Sequence, residues 1–527
     1  MDDDYLSFEE EEEEEEDNYE DYYNDDHAHE EVSSKKSTSQ IITKESLVLA
    51  QKEVLARVME LLSVKENQAR TLLIHYQWNV NKLIGVYGDR GKDSLFKSAG
   101  LTVFDPSLIS SRKRKTMSCD ICIEDDIPSS AMTRMECGHC FCNDCWKEHF
   151  TVNINEGKSK RITCMAHKCN AICDEDVVRK LVSPELAEKF DRFLVESYVE
   201  DNKMVKWCPS TPHCGNAIRK AEEDEEVEVE CSCGLQFCFS CLSESHSPCS
   251  CLMWKLWRKK CEDESETVNW ITVHTRVCPK CNKPVHRSDG CNLMTCICGQ
   301  HFCWLCGGAT GRDHTWTSIS GHSCGRYKED KVRQMERAKR DLNRYTHYYY
   351  HFKAHTDSSK LEDKRRKSIL EKAEFISEKN DQLVFKDLTW LTDGVDLLFR
   401  SRRILSYSYP FAFYMFGEEL FKDEMSDLDR EMKKNLFEDQ QQQLEGNVER
   451  LSKILEEPFD EYSEDDIKMM KNQLKFLCPV IDNLCKEMYK CIENDLLGPT
   501  QAGINHSIAP YRSKGIEKAI EFCADIC

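Results

Sequence analysis

The chain has 527 residues, more than a single core of roughly 250 to 300 residues supports, so several domains are expected. Its net charge of -23 at pH 7 speaks against a general nucleic-acid binder, because phosphate binding relies on clustered Lys and Arg. No stretch approaches the roughly 20 apolar residues of a membrane span; the richest, Ile404 to Phe416, is short and holds Ser406, Ser408 and Pro410.

Taken in order, residues 1–45 read as an acidic tail. Positions 1–34 hold 18 Asp or Glu and no Lys or Arg, which leaves only -5 for the rest of the chain. Such a segment buries too little apolar surface to offset its chain entropy and is expected to be disordered. Within 46–90 the pattern changes to three short helical periods. Val54, Leu55, Val58, Leu61 and Leu62 make one stripe; Ser63 and Glu66 suit a capping box before Ala69, Leu72 and Leu73; Asn79 suits the cap of a helix carrying Val80, Leu83, Ile84 and Tyr87. This resembles a ubiquitin-associated (UBA-like) three-helix domain. Residues 91–117 read as an aperiodic linker with a basic cluster, Arg112 to Lys115, which suits a solvated linker or a nuclear signal.

Between Cys119 and Cys324 lie 26 of the 31 cysteines. The chain opens MDDDYLSFEEE, without the basic and apolar regions of a secretory leader, so these thiols are expected to be reduced and available to metal in a soluble protein of the cytoplasm or nucleus. Zinc takes four N or S ligands in a tetrahedron, and a CxxC knuckle supplies two of them from one tight turn. Residues 118–174 hold the first set of eight, whose order resembles a cross-braced RING: Cys119, Cys122, Cys142 and Cys145 on one metal, Cys137, His139, Cys164 and Cys169 on the other. Cys140 and Cys173 are surplus. The second set, in 206–252, pairs in sequence: Cys208, Cys214, Cys231 and Cys233, then Cys238, Cys241, His246 and Cys251, with Cys249 competing with Cys251. The third set, in 275–325, repeats that order: Cys278, Cys281, Cys296 and Cys298, then Cys303, Cys306, His314 and Cys324, with His322 as the rival of His314. Six structural zinc ions are implied, and the small modules should not fold without them.

Two helical linkers, 175–205 and 253–274, separate the sets. The first follows Ser183-Pro184 and places Leu186, Phe190, Phe193, Leu194 and Tyr198 on one face; the second runs through Trp254, Leu256, Trp257 and Trp270 and holds Cys261 as a structural thiol. Both read as spacers. Residues 326–527 are helical, with stripes at Leu388, Leu391, Val395, Leu398 and Phe399 and at Leu444, Val448, Leu451 and Leu455. The cysteines there (Cys478, Cys485, Cys491, Cys523, Cys527) lack knuckle spacing and read as core or free thiols. The fold class is therefore multidomain and mainly α, with small zinc-stabilised α+β modules.

The order of first RING, in-between-RING module and second RING-like module resembles the RING-between-RING E3 ubiquitin ligases. The acidic start, the UBA-like domain and the helical carboxyl-terminal domain with Arg344-Tyr345 and Tyr409-Pro410-Phe411-Ala412-Phe413-Tyr414 narrow the likeness to the Ariadne subfamily. Cys291, in Ser288-Asp289-Gly290-Cys291-Asn292, is spare: both ligand sets of the third module are complete without it. The resemblance implies that Cys291 accepts ubiquitin as a thioester from a conjugating enzyme and passes it to a substrate lysine. Four thiolates on zinc carry a formal charge of -2, so the metals do not themselves favour another thiolate, and a base or a partner must help. Many family members have a histidine two residues after the nucleophile, where this chain has Leu293, and a carboxylate where it has His301; His301 is the candidate for part of the proton transfer. Ile121 and Trp146 are the candidate contacts for the conjugating enzyme, and Asn170 stands where RINGs that promote direct transfer often carry a cation. The resemblance further implies that the helical domain covers Cys291, with Leu361-Glu362 as the restraint, until a partner such as a neddylated cullin-RING ligase releases it. A non-catalytic zinc-binding adaptor for conjugating enzymes or ubiquitin is the alternative that Leu293 keeps open, and no nucleic-acid or membrane partner is expected.

Overall fold

The computed structural model describes residues 39–102, 116–221, 227–263, 275–286, 293–304, 307–310, 337–360, 364, 366–371, 389–456, 464–500 and 506–523. The acidic stretch 1–34, the basic cluster Arg112 to Lys115, Trp270, Leu361-Glu362, Leu388 and Cys527 lie outside them.

Three helices, α1 (Leu47–Leu62), α2 (Glu66–His75) and α3 (Val80–Ala99), enclose the first core. Leu55, Val58 and Leu62 of α1 meet Ala69, Leu72 and Leu73 of α2 there, and Leu83 of α3 joins them. The Asn79 side chain accepts from the Lys82 amide at 2.8 Å, as its position suggests. Ser63 does not cap α2. The chain reverses after Leu62, Ser63 takes the left-handed turn (φ 49) that ends α1, and Lys65 is the cap of α2, its amide donating to the Gln68 side chain at 3.2 Å. The third helix also outruns its expected end. It kinks at Gly91 (φ 72), and beyond the kink Leu95, Phe96 and Ala99 are buried in the same core.

The strand β1 (Gln40–Ile42), in a stretch expected to extend the tail, is buried instead. The first zinc-type module follows, with hairpins β2 (Thr116–Cys119)–β3 (Glu124–Pro128) and β4 (Met132–Arg134)–β5 (Cys140–Cys142), then α4 (Asn143–Asn155). Trp146, Phe150 and Ile154 of α4 fill its core against Phe141 and Met135. Two further helices, α5 (Glu175–Leu181) and α6 (Pro184–Glu200), pack on it, and the Ser183 hydroxyl caps α6. The middle module is built from β6 (Val205–Trp207), β7 (Ala217–Arg219), β8 (Glu228–Glu230) and β9 (Gln236–Cys238).

The next helix, α7 (Cys251–Asp263), is more than the expected spacer. Trp257 lies edge-on to Phe352 and Phe413 at 5.7 and 5.3 Å, and Trp254 meets Tyr407 at 5.1 Å, so both indoles are inside the core of the helical domain. The third module holds β10 (Thr275–Val277), β11 (Pro284–His286), β12 (Leu293–Thr295), β13 (His301–Cys303) and β14 (Ala309–Thr310).

The helical domain follows as α8 (Arg337–Ser359), α9 (Thr389–Met415), α10 (Asp427–Glu456) and α11 (Glu464–Lys490). The predicted stripes are buried in it: Leu391, Val395, Leu398 and Phe399 on α9, Leu444, Val448, Leu451 and Leu455 on α10. The apolar run Ile404 to Phe416 is the centre of this core, and among the described residues no helix is long and apolar enough to cross a membrane. Arg344 lies over the Phe413 ring at 4.3 Å and donates to the Phe413 carbonyl, which joins the two sequence motifs of the domain across α8 and α9. Cys485 and Cys491 are buried in this core and Cys478 packs against it, whereas Cys523 is exposed.

Two last strands, β15 (Glu517–Lys518) and β16 (Ile520–Glu521), return to the middle module. β15 pairs with β8, and β16 pairs with β1, which in turn pairs with β7 to give the order β16-β1-β7-β6. Segments from near both ends of the described chain thus clasp the middle module, and the Ser39 amide donates to buried Glu517 at 2.8 Å.

Candidate metal centres and the transfer module

The Cys142–Cys145 pair leads directly into α4, whereas in several other knuckles the residue after the second cysteine takes a left-handed conformation, so that its amide reaches back to the first cysteine's carbonyl. Gly234 and Gly299 do this at 2.8 Å, Asn282 at 3.0 Å, and Ile123 and Leu242 at 2.9 Å. Glycine and asparagine suit that backbone; a β-branched isoleucine does not. Ile123 (φ 62) is also 86% exposed. It is held in a costly conformation with its apolar side chain in water.

Among the described residues, five groups of four ligand atoms lie within 4.8 Å of one another: Cys119, Cys122, Cys142, Cys145; Cys137, His139, Cys164, Cys169; Cys208, Cys214, Cys231, Cys233; Cys238, Cys241, His246, Cys251; and Cys278, Cys281, Cys296, Cys298. A tetrahedron with zinc–sulfur bonds of about 2.3 Å has sulfur–sulfur edges of about 3.8 Å. The structure places Cys119 and Cys145 at 3.9 Å, Cys122 and Cys142 at 3.8 Å, Cys208 and Cys233 at 3.7 Å, Cys214 and Cys231 at 4.0 Å, and Cys278 and Cys298 at 3.6 Å. Donor set and spacing both fit zinc. Burial holds the thiols of Cys164 and Cys208 up at about 12, so a metal must displace protons from these sites and its affinity should rise with pH.

The choice between Cys249 and Cys251 is visible in the fourth group. Cys251 lies 3.6 Å from Cys238, and the His246 Nε2 stands 3.3 Å from Cys241. The other ring nitrogen, Nδ1, donates to the Cys249 carbonyl at 2.6 Å, a second-layer bond of the kind that fixes a metal-binding histidine. The Cys249 thiol itself is fully buried in the helical-domain core. Spacing alone could not reveal this role. Of the surplus thiols, Cys173 is buried and Cys140 partly so.

In the third module Cys278, Cys281, Cys296 and Cys298 come together as a set of four ligands. Cys291, Cys306, His314, His322 and Cys324 lie outside the described residues, so the sixth group is represented by Cys303 alone. Leu293 and His301 are on neighbouring strands, with Thr295 directly opposite His301. The Thr295 Oγ1 and His301 Nδ1 are 2.9 Å apart.

The two candidate docking residues part company. Ile121 is 46% exposed beside Ile123. Trp146 is fully buried, stacked on Phe150, and its indole N–H donates to the Thr133 carbonyl at 3.0 Å. Trp146 is a core residue of the first module; position after a cysteine did not show that α4 turns it inward. The only sign of Ile123 in the sequence is a β-branched residue directly after a knuckle.

Comparison with known proteins bears on the whole chain. The Ariadne domain family matches residues 343–526, the IBR domain (a half RING-finger domain) residues 188–251, and the UBA-like domain of E3 ubiquitin-protein ligase ARIH1 residues 50–89. The chain is 76% identical over 491 residues to the probable E3 ubiquitin-protein ligase ARI3 of Arabidopsis thaliana, covering 93% of this chain and 91% of that one. It belongs to the Ariadne E3 ubiquitin-protein ligases. The likeness persists at 34% identity to E3 ubiquitin-protein ligase ariadne-1 of Drosophila melanogaster, with 81% of this chain and 84% of that one covered. The chain is thus a RING-between-RING ubiquitin transferase, and this Ariadne ligase has the UBA-like, zinc-module and helical parts that its sequence suggests.

Proposed function

We propose that this Ariadne ligase works through a covalent relay centred on Cys291. The Cys291 thiolate attacks the thioester carbonyl of ubiquitin on a conjugating enzyme, whose cysteine leaves. A substrate lysine amine then attacks the new thioester, and Cys291 leaves as thiolate while the amine gives up its proton. The observation that carries this reading is the complete four-sulfur group Cys278, Cys281, Cys296 and Cys298, which leaves the cysteine between its two knuckles free of metal duty. Mixing the protein with ubiquitin-charged conjugating enzyme and resolving the products without reductant tests it: a thiol-sensitive ubiquitin adduct should form on the ligase.

Six zinc ions hold the modules, the sixth bound by Cys303, Cys306, His314 and Cys324. They are structural and take no part in the transfer. With its Nδ1 proton donated to the Thr295 Oγ1, 2.9 Å away, His301 presents Nε2 as the basic nitrogen for the proton of the incoming lysine. With His301→Ala, thioester formation should persist while lysine discharge slows by about 10²-fold. Equal rates of both steps in variant and wild type would remove His301 from the relay.

Conjugating enzyme docks on the first module through exposed Ile121, with Ile123 beside it. Truncation of Ile121 to alanine should cost about 1–2 kcal/mol, or roughly 5–30-fold in affinity, with zinc content intact. Unaltered affinity would exclude this surface. The helical domain restrains the transfer module. Ala354 of α8 is part of the apolar core around Phe302 and Met294, and Arg276 lies over the Tyr350 ring at 4.5 Å, which supports a closed resting state. A neddylated cullin-RING complex is the proposed releasing partner.

A further inference from the structure

A cleft between the middle module and the helical domain is used by no part of this relay. Its volume is about 390 Å³, within the range of small-molecule sites. Ser245 comes from the middle module, Arg400 and Arg403 from α9, Lys514 from the segment that leads into β15, and Lys518 from β15 itself. With Arg366 there are five cations against the three carboxylates Glu230, Glu244 and Asp396, a local excess of positive charge on a chain of net charge -23.

Internal pairing does not satisfy the cleft. Asp396 is taken by Arg366, and Glu230 lies 3.7 Å from Lys518, its partner in the β8–β15 register. Arg400 reaches Asp482 at 3.1 Å through one terminal nitrogen, and Arg403 comes no nearer than 3.9 Å to Glu228. The Nε donors of both guanidiniums are buried without an acceptor. The Ser245 hydroxyl is in the same state on a residue only 5% exposed. Unpartnered buried donors are costly, and these three line one cavity.

We propose that this cleft binds a small molecule carrying several phosphates, of the inositol phosphate class. Guanidinium forks match phosphate oxygens, and five cations contributed by separate stretches of chain exceed what a single phosphate contacts. The bound anion joins Ser245 of the middle module to α9 and to the returning segment, so its occupancy stabilises their packing.

Titration calorimetry and thermal melting of the full-length protein with inositol trisphosphate test the proposal. The wild type should bind and melt higher. Arg403→Gln and Lys514→Gln should each weaken binding at least about tenfold, whereas Lys486→Gln on α11 should not. Lys514 is exposed, so its variant remains informative if Arg403→Gln fails to fold. Three results would overturn the proposal: no binding beyond that of sodium chloride at matched ionic strength, equal affinity in all variants, or equal affinity for inorganic phosphate.

Discussion

Cys291→Ser is expected to abolish ubiquitin transfer to lysine while the protein stays folded, zinc-loaded and able to dock conjugating enzyme. A serine hydroxyl is a far weaker nucleophile than a thiolate, and an ester leaves far less readily under amine attack than a thioester. Loss of either step by at least about 10³-fold corresponds to roughly 4 kcal/mol on the barrier. The structural cost should be negligible, because the four sulfurs of Cys278, Cys281, Cys296 and Cys298 already form a complete set of ligands. The variant should slowly accumulate a ubiquitin adduct that survives thiol reductant but not alkali, since an oxyester forms once and then has no efficient exit. A Cys291→Ser protein that ubiquitinates lysine at the wild-type rate would mean that the first module promotes direct transfer and that Cys291 is an ordinary loop residue.

The metal groups were legible because a knuckle is local: two cysteines three residues apart share a turn, and the alternation of pairs decides which pairs meet. Among the described residues, five four-ligand groups gather from the residues that spacing assigns. Helical stripes were legible for the same reason. Their partners were not, because periodicity reports that a face is buried and not what buries it. Trp254 and Trp257 therefore read as parts of a spacer, yet they lie against Tyr407, Phe352 and Phe413. The clasp of β1, β15 and β16 was invisible because strands of two or three residues have no period to detect, and their pairing spans most of the chain. Trp146 and Cys249 show a further limit. Trp146 follows a ligand and Cys249 stands two residues before one, and only the direction in which the backbone turns decides that Trp146 fills its module's core and that the Cys249 carbonyl meets His246.

The contribution of α7 to the helical core changes how restraint by the helical domain is to be tested. Deleting residues 327–527 would strip Trp257 of Phe352 and Phe413 and remove the strands paired with β8 and β1, so inactivity of the remnant would report misfolding. A single substitution at the contact with the transfer module is cleaner. Ala354 is 3% exposed on α8, in one core with Phe302, Met294 and Trp304, while Tyr350, one turn earlier, receives Arg276. Ala354→Glu retains a good helix former but forces a carboxylate into an apolar contact, where it must be expelled or stay unpaired. Loss of about 1.4–2.8 kcal/mol from the closed state shifts the population toward the open one by roughly 10- to 100-fold. Autoubiquitination without any activating partner should rise within that range, as measured by initial rates at fixed conjugating enzyme. Arg276→Ala, which removes only the cation over the Tyr350 ring, should give a smaller rise in keeping with about 0.5–2 kcal/mol. A folded Ala354→Glu protein with wild-type basal activity would show that this contact positions the transfer module without restraining it.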